Sequence, residues 1–88
     1  MTPAAALRRA GFTCVTSGEG IWRKGASTGT EFIIEAMPDL TRTPSQPLTW
    51  SSMMLCEGTE AKRLGIANQV MPMARVIEVL TTKEERRT

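Results

Sequence analysis

Three short runs of alternating residues, separated by glycine-bearing turns, follow one another between Phe12 and Ala36. In FTCVTS, Phe12, Cys14 and Thr16 share one face, and Thr13, Val15 and Ser17 share the other. Period two with β-branched residues predicts a strand. SGEG supplies the glycines of a hairpin turn, and IWRK returns as the second strand. GASTGT reads as a loop or wider hairpin. EFIIEA is a third strand, with Phe32 and Ile34 pointing one way and Glu31, Ile33 and Glu35 the other. Ahead of these strands the sequence predicts a helix over 3–10. Thr2 can cap it, Pro3 suits its first turn, and Gly11 fits the left-handed position after its end. The first 36 residues therefore read α-β-β-β in meander order.

The remainder is less regular. Pro38, Pro44 and Pro47 fall within MPDLTRTPSQPL, residues 37–48, so this stretch reads as a loop or a poor edge segment and as a candidate contact surface. TWSSMMLCEG reads as helical, capped by Thr49 or Ser51, with Trp50, Met53, Met54 and Cys56 on one stripe and Gly58 breaking it. Thr59 then opens a further turn, EAKRL, closed by Gly65. In IANQVMPMARVIEVL, Pro72 starts a helix or ends a strand. The β-branched content of ARVIEV favours a strand over 73–81, although Val76, Val79 and Leu80 also fit a helix. The expected fold class is α+β. It is a single small domain over 1–81, with an N-terminal helix, a three-stranded antiparallel meander, and a C-terminal helix or helices with room for a fourth strand. Residues 82–88, TKEERRT, form a charged, flexible tail in this reading.

Length and composition agree with that class. Eighty-eight residues, 41% hydrophobic and 23% charged, bound one ordinary globular domain with a small core. No apolar run approaches the ~20 residues that span a bilayer. MTPAAALRRAGF has no apolar stretch of the signal-peptide kind, so the expected location is the cytoplasm and no membrane partner is expected. Cys14 and Cys56 belong to no C-x-x-C pair and read as small buried hydrophobes rather than a disulfide.

The absence of histidine and tyrosine removes Ser-His-Asp and Cys-His nucleophile systems and histidine metal sites. Glycines 18, 20, 25 and 29 match neither the P-loop nor the dinucleotide-binding spacing. Glu31 and Glu35 share a strand face, and the plain reading of that face is that it is exposed. The sequence therefore predicts no enzyme, no metal and no cofactor.

Leu7, Ala10, Gly11 and Phe12, with Gly18, Trp22 and Arg23 after them, resemble the HicA family of small mRNA-cleaving toxins over roughly residues 4–55. That resemblance implies a double-stranded-RNA-binding type of fold, α-β-β-β-α. The family carries a catalytic histidine near the position of Gly20, and this chain has none. Binding of RNA, rather than cleavage, is what the resemblance implies here. TEAKRLGIANQVM looks like the helix-turn-helix of small phage repressors through Ala61, Leu64, Gly65 and Ile66. Pro72 falls where the recognition helix would run. The same letters are similar to the helix-strand step of enoyl-CoA hydratases, a fold that needs far more chain; only a helix, a turn and a strand carry over.

Two functional expectations follow. The first is a small non-catalytic protein-binding module of the kind by which a phage or mobile element inhibits or regulates a host protein. It is suggested by the missing catalytic groups, the proline-rich loop and methionines at 37, 53, 54, 71 and 73. The second is a nucleic-acid-binding domain, for RNA or DNA. Its candidate residues are Arg8, Arg9, Trp22, Arg23, Lys24, Lys62 and Arg63, with Trp22 stacking a base and the cations holding phosphate. The net charge of +2 weighs toward the first. Either reading expects a monomer or a homodimer.

Overall fold

Helix α1 spans Pro3–Arg9, and its ends form as the sequence predicts. Thr2 Oγ1 accepts the Ala5 N–H at 3.2 Å, satisfying one of the donors a helix start leaves without a partner. At the other end Gly11 takes φ +97°, and the Phe12 N–H returns to the Leu7 carbonyl. The computed structural model describes residues 1–25, 31–37 and 46–85. Most of the expected 25–30 loop and of the proline-rich segment lies outside them.

Strand β1, Thr13–Cys14, turns through a short 3-10 segment at Ser17–Glu19 into β2, Ile21–Lys24. Gly18 and Glu19 both have positive φ in this turn, and the Thr16 side chain holds it by accepting from the N–H groups of Gly20 and Ile21. Strand β3 is Phe32–Ala36. Up to this point the α-β-β-β reading agrees with the structure.

Beyond Leu48 two expectations are corrected. The segment read as a helix is strand β4, Met53–Glu57, and the segment read as a strand is helix α3, Met73–Glu85. Between them lie α2, Thr59–Arg63, and β5, Gln69–Pro72. The sheet has five antiparallel strands in the order β1-β2-β3-β4-β5, one more than the fourth that was allowed for. After α2 the chain enters β5 instead of a second helix, so the helix-turn-helix reading fails there, and Pro72 ends the strand. Helix α3 also continues through the first residues assigned to the tail.

The reasons are tertiary. Met54 and Cys56 are fully buried while Met53, Leu55 and Glu57 are half-buried. That alternation is enforced by neighbours on both sides, because β4 pairs with β3 and β5 at once. In α3 the buried residues are Met73, Val76 and Leu80, with Ile77 and Val79 packed against the core. This is the 3.6-residue period, and it outweighs the modest helix penalty of β-branched residues.

Alternation sends Trp22, Phe32, Ile34, Met54, Cys56 and Met71 to one face of the sheet. There they form a single core with Leu7, Ala61, Met73, Val76 and Leu80 from the helices. Helices α1 and α3 touch each other over this face. Phe12 and Phe32 meet edge to face, with ring centroids 5.1 Å apart. Gly58 is the tightest point of the backbone. Its φ is +107°, and a Cβ there would stand 2.2 Å from the Glu31 carbonyl oxygen, to which Glu60 donates its N–H. Only glycine lets the chain leave β4 and enter α2 so close to β3.

Candidate functional site

Among the described residues the other face of the sheet has no such cover. Register sets its side chains in rows. One row crosses every strand as Val15, Ile21, Glu35, Leu55 and Val70, with Val15 just past β1 but still bonded through its N–H to the Ile21 carbonyl. A second row is Thr13, Arg23, Ile33 and Glu57. Val15 is 49% exposed and Val70 48%. Ile21, Ile33 and Leu55 are half-buried. A single exposed apolar residue is ordinary, whereas here apolar residues hold every position of the row but that of Glu35.

Charge frames this apolar surface unevenly. Ile33 stands at the centre, flanked across the strands by Arg23 and Glu57 and along its own strand by Glu31 and Glu35. Arg23 Nη2 and Glu31 Oε1 form an ion pair at 2.7 Å. Glu35 and Glu57 have no ion pair or hydrogen bond of their side chains among the described residues. The face thus carries one compensated pair and two uncompensated carboxylates. At the β1–β2 end it opens into a shallow cleft of about 290 Å³ lined by Gly11, Thr13, Val15, Arg23, Lys24 and Gly25.

The residues nominated for nucleic acid are dispersed by the fold. Trp22 is 0% exposed, and its indole Nε1–H donates to the Glu19 carbonyl at 2.9 Å. It cannot stack a base, which corrects the platform reading. Lys24 is likewise turned to structure: it lies on the Trp22 side of β2, passes 5.7 Å from the Phe12 ring centroid and donates from Nζ to the Ala10 carbonyl at 2.6 Å. That bond caps the C-terminal end of α1, where a cation complements the helix dipole. Arg8 sits over the Trp22 ring, 5.2 Å from its centroid. Arg9 is exposed at the end of α1, while Arg23 faces the opposite side of the sheet. Lys62 and Arg63 are exposed on α2, and Arg63 pairs with Glu60. Arg23 and Lys24 meet only at the cleft at the β1–β2 end, and Arg23 shares no face with Arg8 or Trp22, so the nominated set does not form one track.

Among the described residues no group of three or more His, Cys, Asp and Glu side chains could hold a metal ion. Cys56 lies on the covered face, and burial pushes its thiol up to about 11. Cys14 is half-buried and donates from Sγ to the Thr16 carbonyl. No helix among the described residues is long and apolar enough to cross a membrane. Compared with protein-family models, with curated proteins and with solved structures, the chain matches none.

Val15, Ile21, Leu55, Glu57 and Val70 were not singled out from the sequence. Ile21 and Ile33 could have been, because they alternate with Trp22, Phe32 and Ile34 and so must face the other way. Leu55 and Glu57 were hidden by the helical reading of β4.

Proposed function

We propose that this protein is a non-catalytic protein-binding module and that it binds through the open face of its sheet. The observation that carries this reading is the row Val15, Ile21, Leu55 and Val70, apolar residues aligned across the strands and left partly in solvent. Burial of such a row against a partner gains roughly 25 cal/mol for each Å² of apolar surface removed from water. The covered face, by contrast, is already filled by Trp22 and its neighbours. The missing histidine and tyrosine and the compactness of the chain fit a part that acts by occupying another protein. A phage or mobile-element regulator of a host protein is the setting that suits it.

Affinity capture with the wild type and with Val70→Lys tests the reading. Val70 is half exposed, so the variant keeps its fold, which a thermal melt verifies. The expected result is a partner held by the wild type and lost by the variant. Equal recovery by both proteins, or no recovery above background by either, would overturn the reading.

A further inference from the structure

We infer that the partner segment taken by the open face is cationic, a stretch of protein with lysine or arginine side chains set around apolar ones. The inference rests on the protein-binding reading above and adds the chemistry of the partner. Among the described residues the face carries Glu31, Glu35 and Glu57 against Arg23, a count of three carboxylates to one cation. The whole chain is +2, so this face runs against the sign of the protein around it. Arg23 is consumed by Glu31.

Glu35 and Glu57 remain, and their placement is specific. Each stands inside the apolar field, Glu35 between Ile21 and Leu55, and Glu57 beside Ile33. They are diagonal neighbours on β3 and β4, which sets their Cβ atoms about 7 Å apart. Docking an apolar partner over them would take both carboxylates out of water, and that is costly unless each meets a positive charge. A cationic segment meets that requirement, because its apolar side chains cover Ile33, Leu55 and Val70 while its cations reach Glu35 and Glu57.

The same charges argue against the other occupants. A second copy placed face to face would double the excess of carboxylate over arginine within one interface, since a twofold interface is formed by the same patch of both copies. Nucleic acid and anionic lipid would be repelled by Glu35 and Glu57.

The test is a methyl NMR titration with two synthetic amphipathic peptides of identical leucine pattern, one with lysine and one with glutamate at the polar positions. The expected result is that the lysine peptide shifts the Ile33, Leu55 and Val70 methyls, more weakly as salt is raised, and that the glutamate peptide does not. Replacing both carboxylates, Glu35→Gln with Glu57→Gln, should weaken the lysine peptide by about three- to tenfold, the range expected of two partly exposed ion pairs. Equal shifts of these methyls by both peptides would overturn the cationic inference and leave the protein-binding face standing. Shifts by neither peptide would count against both. Concentration-dependent broadening of the same methyls without any peptide would assign the face to a second copy and overturn the inference.

Discussion

The two faces of this sheet are built from the same strands, and often from adjacent residues, yet they serve opposite ends. On one, Trp22, Phe32, Ile34, Met54 and Cys56 are at most 1% exposed and locked under helices. On the other, Ile21, Ile33 and Leu55, each next in chain to one of those residues, keep part of their surface in water. Apolar content alone does not separate them, since both carry large hydrophobic side chains. What separates them is charge. The covered face holds Lys24 at its margin, tied to a helix end, whereas the open face has Arg23, Glu31, Glu35 and Glu57 set among its apolar side chains. Charges placed inside an apolar field hold water over it.

Substitutions that treat the faces alike should reveal how unlike they are. The largest effect is expected from Trp22→Ala, which removes the biggest fully buried side chain and should cost about 3–5 kcal/mol. Ile33→Ala on the opposite face should cost about 1 kcal/mol, near the centre of ordinary point-mutation effects. Urea midpoints of the two variants measure the contrast, and similar losses would mean that the open face is as much a core as the covered one. Gly58→Ala comes next. Its Cβ would collide with the Glu31 carbonyl in a backbone conformation that disfavours alanine, and a loss of about 2–3 kcal/mol is expected for strain of this kind. Thermal melting checks it.

The smallest effect is one of pH. The Cys56 thiol is raised from 9.0 to about 11 by burial. A folded value above the unfolded one means that the unfolded chain loses this proton first. The contribution to stability is therefore whole below pH 9 and is lost as pH climbs from 9 toward 11. Cys56→Ala should flatten that part of the stability profile, whatever it loses in packing. An unchanged slope would show that the covered face admits water at β4.

How much of this was legible in the sequence depends on which force decides each segment. The front third was legible because local signals agree with one another. Thr2, Pro3 and Gly11 mark a helix, and the alternation of Ile21-Trp22-Arg23-Lys24 and Glu31 to Glu35 marks strands. Ser-Met-Met-Leu-Cys-Glu contains no β-branched residue, and nothing local asks for a strand; β4 exists because β3 and β5 flank it. Ala-Arg-Val-Ile-Glu-Val errs the opposite way, its β-branched residues concealing a helical period that burial of Met73, Val76 and Leu80 makes plain. The candidate site suffered from both. Ile33 between two glutamates was correctly read as a strand face in solvent, but Leu55 and Glu57 joined it only once β4 was a strand. Trp22 and Lys24 failed as a binding platform because the sequence places them on a common face without saying which face the helices take.

The contact between α1 and α3 joins the first element of the chain to the last. Each strand pairs with the strand made just before it, so the sheet can assemble in step with synthesis. The covered face cannot. Met73, Val76 and Leu80 emerge last, and until they do Trp22, Ile34 and Met54 lack their final cover. A ribosome halted before α3 would release a sheet with both faces bare instead of one.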